Sequence, residues 1–108
     1  MKLVKFQHDL VKLVLSGEKT STWRLFDDKN LSIDDMIELR EFGKDTPFGT
    51  ANIVRVIEKS FKELTDEDKV GHETFADDAE MYRTYSTYYK TEVGPETRLK
   101  IIWFELLT

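Results

Sequence analysis

Ser16-Gly17-Glu18-Lys19-Thr20-Ser21-Thr22-Trp23-Arg24 is the stretch on which the reading of this chain turns. It packs a helix end, a glycine turn and a strand around two cations and three hydroxyls. Just upstream, Phe6, Leu10, Leu13 and Val14 recur at helical spacing. This predicts a short helix over residues 6–16 with Leu10, Leu13 and Val14 turned inward. Gly17 falls where a helix stop belongs. Residues 20–26 are rich in β-formers and predict a strand. With a period of two, Thr20, Thr22 and Arg24 share one face, and Ser21 and Trp23 take the other. Lys19 sits at the elbow, free to swing to either side. One strand's length thus offers a cation, two hydroxyls and a guanidinium. That set suits an anionic or carbonyl-bearing ligand, because Lys and Arg neutralise charge while hydroxyls fix orientation.

Outward from this stretch, residues 2–5, 36–40 and 51–57 read as strands. Gly43, Pro47 and Gly49 punctuate a loop. Thr65-Asp66-Glu67-Asp68 has the form of a helix-start box. Thr74-Phe75-Ala76-Asp77 is a similar signal, from which a helix of about 15 residues is expected, with Phe75, Ala79, Tyr82 and Tyr89 on one face. Gly94-Pro95 closes that region. Residues 99–106 form the last strand, apolar on both faces and therefore interior in its sheet. The order predicts an α+β domain spanning 1–108, a small, mostly antiparallel barrel with flanking helices rather than a doubly wound sheet.

The chain has 108 residues, 40% hydrophobic and 34% charged, enough to build one core. There is no cysteine, which removes disulfides, thiol chemistry and cysteine metal sites. With only His8 and His72 besides, the reading is no metal and no cofactor. The longest run free of polar residues is Ile101-Ile102-Trp103-Phe104, far short of the roughly 20 residues a membrane span needs. No signal peptide is visible, and the expectation is a cytoplasmic protein without membrane contact. Net charge is −5 overall, but +3 over residues 1–26, −9 over 27–80 and +1 over 81–108. That balance opposes long duplex DNA and is easier to reconcile with a small ligand or a short RNA. The oligomeric state is left open.

Gly17-x-Lys19-x-x-x-x-Arg24 resembles the GxKxxxxR signature of ASCH domains, the activating-signal-cointegrator homology class of the PUA-like superfamily. Residues 61–68, Phe-Lys-Glu-Leu-Thr-Asp-Glu-Asp, resemble the family's "LTEED" segment. Gly71-His72-Glu73 with the aromatic helix after it is similar to its "GHE" region. Residues 101–105 are similar to its terminal strand. The family often has Gly-Asp before the second strand. Here Ser32-Ile33-Asp34-Asp35 places Asp34 at the glycine.

The resemblance implies a five- or six-stranded barrel whose cleft is lined by the motif, and partners that are nucleosides, nucleotides or short RNA. Gly17, Thr20, Trp23 and Arg24 would line the ligand site. Some small members of the family are amidohydrolases that remove the acetyl group of N(4)-acetylcytidine with a Thr, a Lys and a Glu. By that resemblance the catalytic set is Lys19, Thr22 and Glu73. The glutamate falls on Glu73 with a one-residue shift of alignment, and on His72 in strict register.

Two readings of the site stay open on physical grounds. As a binding cleft it needs Lys19 charged. As a hydrolase with Thr22 as nucleophile, it takes Lys19 as base only if the amine is neutral. That requires lowering its pKa by about three pH units, roughly 4 kcal/mol. Burial and Arg24 push that way, whereas a Glu73 in direct contact pushes back. Plainer roles exist for each residue. Lys19 and Arg24 would serve as surface charges paired with Glu18 or Asp27, Trp23 as core, and the tyrosines of the helix as packing. The acidic middle segment would be a solvated face or a surface for a basic partner.

Overall fold

The computed structural model describes residues 1–26 and 29–107. The chain runs β1 (Lys2–Phe6), α1 (His8–Ser16), β2 (Ser21–Arg24), β3 (Met36–Glu41), β4 (Pro47–Ser60), a 3₁₀ turn (Phe61–Glu63), α2 (Asp66–Lys69), α3 (Asp78–Tyr89) and β5 (Arg98–Leu107). The five strands form one sheet in the order β1-β3-β4-β5-β2. Only β1 and β3 pair in parallel; the other three pairings are antiparallel. The sheet is curled into a half-barrel, so β1 and β2 are edges that do not pair with each other. This is the α+β, mostly antiparallel PUA-like barrel expected from the sequence, left open along one seam.

β5 is interior, as its two apolar faces require. Its even residues Ile102 and Phe104 enter one core with Val4, Val14, Ile37, Leu39 and Ile53. Its odd residues Leu99 and Ile101 enter a second, aromatic core with Trp23, Phe61, Met81 and Tyr85. The alternation along one strand thereby joins two layers. α1 covers the first core with Val14 buried and Leu10 and Val11 packed against it. It ends where expected: Gly17 takes φ +85° and donates its N–H to the Val14 carbonyl.

Three expectations are corrected. β4 begins at Pro47, so Pro47 and Gly49 lie in the strand and not in the preceding loop. Pro is tolerated there because the first residue of a strand need not donate to the ladder. α3 starts at Asp78, capped by Asp77 accepting from the Glu80 N–H, rather than from Thr74. Its buried side chains are Met81 and Tyr85, with Ala79 exposed, so the inward face centres on Tyr85 and not Tyr82. The Thr65 box forms as read, with Thr65 and Asp68 capping each other across α2. Asp34 adopts φ +72° at the turn into β3, the left-handed geometry that a glycine would otherwise supply. Among the described residues no helix is long and apolar enough to cross a membrane.

Candidate functional site

The motif places its residues by local rules. α1 stops at Gly17, the Lys19 N–H returns to the Leu13 carbonyl, and the chain leaves as β2 along β5. The loop after α2 is fastened to the start of β2 by one carbonyl. Gly71 C=O accepts from both Thr20 N–H (2.8 Å) and Ser21 N–H (3.2 Å). Gly71 itself has φ +80°, and a Cβ there would collide with the Thr20 hydroxyl. This tight join delivers His72 and Glu73 to Lys19, 54 positions away in sequence.

Lys19 is 3% exposed and donates to Glu73 Oε2 at 2.6 Å. Burial holds its amine below the ordinary lysine value, while the Glu73 carboxylate opposes by favouring the ammonium. Burial alone would raise the Glu73 carboxyl. The positive neighbours outweigh this, His72 when protonated and Lys19 through charge and hydrogen bond, and the group stays below its ordinary range. The amine donates to the carboxylate, and each group favours the charged form of the other. Lys19 is not the surface charge the plainer reading allowed, and Asp27 lies outside the described residues.

Of the two alignments, Glu73 is the residue that reaches Lys19. His72 stands behind it in a supporting role. Its Nδ1 lies 2.9 Å from the Glu73 carbonyl, which can only accept, so Nδ1 carries the proton. Its Nε2 then accepts from the Tyr85 hydroxyl at 3.1 Å. The ring stacks on Trp23 with centroids 3.8 Å apart. Burial, and next the charge of Lys19, push the imidazole down to about 4, which keeps it neutral at pH 7.

A pocket of about 370 Å³ opens over this pair. Lys19, Glu73, Thr22, Trp23 and Arg24 line it, joined by Lys5, Gln7, Leu10 and Phe42 from one side and Tyr85, Thr87, Tyr88 and Tyr89 from α3. It occupies the seam between the unpaired edges β1 and β2. Five of the seven expected residues meet here. Gly17 and Thr20 do not; they lie at the other end of the turn, as a helix stop and as the partner of Gly71. Trp23 combines both roles suggested for it, since it is 3% exposed in the aromatic core and still touches the pocket. Its indole N–H has no partner among the described residues, and neither has the Ser21 hydroxyl. The Arg24 guanidinium makes no hydrogen bond or ion pair among the described residues and stands at the mouth. Tyr88, read from the sequence as packing, lines the pocket, while Phe42, Lys5 and Gln7 carried no signal in the sequence, because only the tertiary fold brings them opposite α3. No cluster of three or more metal-ligating side chains occurs among the described residues.

No protein-family model and no curated protein matches the chain by sequence. Solved structures match it in shape. An ASCH domain from Lactobacillus crispatus aligns with TM-score 0.71 at 12% identity, covering 97% of this chain and 79% of that one. A protein from Enterococcus faecalis V583 aligns with TM-score 0.75 at 18% identity, covering 92% and 70%. ASCH from Zymomonas mobilis aligns with TM-score 0.67 at 13% identity, covering 95% and 65%. The chain thus has the fold of the ASCH domains it aligns with.

Proposed function

We propose that this chain is an ASCH domain whose seam pocket binds one nucleobase-sized ligand, carried as a nucleoside, a nucleotide or part of a short RNA. The observation that supports this most is the buried Lys19–Glu73 pair in the wall of an aromatic-sided pocket. A buried ion pair is poor value as a stabiliser, since desolvation offsets most of its Coulomb attraction. Its location in a concave site gives it another use, as a donor and an acceptor presented together to a polar ligand. The pocket's volume is at the small end for ligand sites, which suits one base and not a stacked strand. Arg24 at the mouth is placed for a sugar or phosphate oxygen. Titration with nucleosides, nucleotides and short RNA, followed through the Lys19 and Arg24 side-chain resonances, tests this. Shifts at both support it, and no shift with any of the three removes it.

A second reading is favoured by Thr22, which lies in the same pocket as Lys19 and Glu73. In it the pocket removes the acyl group of N(4)-acetylcytidine or a similar N-acyl nucleoside. Thr22 Oγ1 adds to the acyl carbonyl carbon while Glu73 accepts the hydroxyl proton. The Lys19 ammonium donates to the developing oxyanion, which avoids any need for a neutral lysine. The proton passes from Glu73 to the departing exocyclic nitrogen, and water hydrolyses the acyl-threonine. The assay follows acetate and cytidine release from N(4)-acetylcytidine. Release that disappears in both Lys19→Ala and Thr22→Val establishes the hydrolase. Release unchanged in Thr22→Val ends this reading, and no release by the wild type leaves the pocket as a binding site.

A further inference from the structure

The pocket meets β2 at its edge, and this determines what kind of group it reads. Thr22, Trp23 and Arg24 are consecutive, and all three line the cavity. On a strand, consecutive side chains point to opposite faces, so no one face presents all three. What the cavity meets along them is the main chain of an edge strand. The hydrogen-bond parity follows from one contact: Phe104 N–H donates to Thr20 C=O, so the Thr20 carbonyl faces β5 even though its own N–H turns to Gly71. With the register Ser21↔Trp103 through Arg24↔Lys100, Thr22 and Arg24 also face β5. Ser21, Trp23 and Leu25 turn their N–H groups outward. Two of these are covered, Ser21 by Gly71 C=O at 3.2 Å and Leu25 by the Tyr89 hydroxyl at 3.1 Å. The middle one is not: outside the strand ladder, no main-chain or side-chain group among the described residues bonds the N–H or C=O of Trp23.

Buried main-chain donors and acceptors are nearly always paired. Here the two outer positions are sealed and the one between them is left open to the pocket. We propose that Trp23 N–H and C=O are the recognition edge of this site, pairing with a ligand that carries an acceptor beside a donor on one planar edge. Resting on the nucleobase reading above, this names the part of the base that is bound: its Watson–Crick edge. For a cytosine, N3 accepts from Trp23 N–H and the exocyclic N4–H donates to Trp23 C=O. N(4)-acylation leaves both groups in place. A base already paired in a duplex has no such edge to offer, so the site takes single-stranded or free nucleosides.

The test is a titration of ¹⁵N-labelled protein with cytidine and uridine and with their N3-methyl counterparts. Engagement of the edge moves the Trp23 amide proton downfield and slows its exchange, and N3-methylation weakens binding about tenfold or more. If Lys19, Arg24 and Tyr88 respond while the Trp23 amide neither shifts nor gains protection, the edge proposal is overturned and the nucleobase reading stands. Equal binding of the N3-methyl nucleosides overturns it as well. If no resonance of the pocket responds to any nucleoside, both fall together.

Discussion

Two of the lysine–carboxylate pairs on the segment between β4 and α3 are built in opposite senses. In Lys19–Glu73 the cation is buried, with its side chain 2% exposed, and the carboxylate side chain at 24% reaches the pocket. In Lys59–Asp68 the carboxylate is buried at 6% and the cation at 26% faces outward. Asp68 Oδ2 accepts both from Lys59 Nζ and from the Thr65 N–H in the cap of α2, so the buried carboxylate is spent on closing a helix start. Lys19 donates to Glu73, and that carboxylate keeps a face toward the cavity. The distances are nearly the same; what separates a fastener from a site is which member is sealed and whether the other lines a cavity.

The sharpest way to break this contrast is to remove each lysine. Lys19→Ala is expected to weaken nucleoside binding, and any acyl release, by about 100-fold, the scale of a lost charged hydrogen bond at a desolvated site. Lys59→Ala is expected to leave both within about twofold, because that partly exposed pair contributes only roughly 0–1 kcal/mol, all of it to folding. Calorimetric binding and urea denaturation on both variants check this. Comparable losses of binding would erase the distinction.

Next in size is a pH effect confined to the pocket side. His72 is about 4 in the folded protein against 6.5 unfolded. Below 6.5 the unfolded chain binds the extra proton first, so stability is full above that pH and falls as pH drops toward 4. Integrated over that window the loss is about 3 kcal/mol. Denaturation midpoints between pH 7 and 4 should show it, and His72→Gln should flatten the profile there. A profile unchanged by His72→Gln would mean that other groups govern the acid limb.

Smaller still is the join that brings Glu73 to Lys19. Gly71→Ala is expected to cost about 1–2 kcal/mol from its left-handed backbone and from the collision with Thr20. Adding Thr20→Ala should recover part of that loss and part of the accompanying loss of binding. A simple sum of the two single effects would show that the contact does not matter.

The N-terminal half of the site was legible because its rules are local. Gly17 as helix stop, Lys19 at the elbow and the alternation from Ser21 to Arg24 follow from spacing alone. Asp34, which stands where the resemblance has a glycine, takes up the left-handed backbone itself. Glu73 was reachable only through resemblance, because no local pattern says which acid returns across 54 positions. The start of α3 was misplaced because Thr74 and Asp77 are equally good caps, and only packing chooses between them. Its face was misplaced because Ala79, which is exposed, was read into it, whereas Met81 and Tyr85 are the side chains that turn inward. Lys5, Gln7 and Phe42 were invisible for a different reason: they belong to the far edge of the sheet, and strand order is not written in any one strand.

The unpaired seam between β1 and β2 has a mechanical consequence. A cylinder closed by a full ladder is stiff, because widening it breaks hydrogen bonds. This one has no ladder across its slit. Side chains tie β1 to the chain beyond β2 instead, Lys2 Nζ donating to the Asn30 carbonyl and Lys29 Nζ to the Leu3 carbonyl. Such ties yield more readily than a ladder, so the slit is the softest line of the wall, and β2, which forms one lip of it, is the strand that moves when the wall parts.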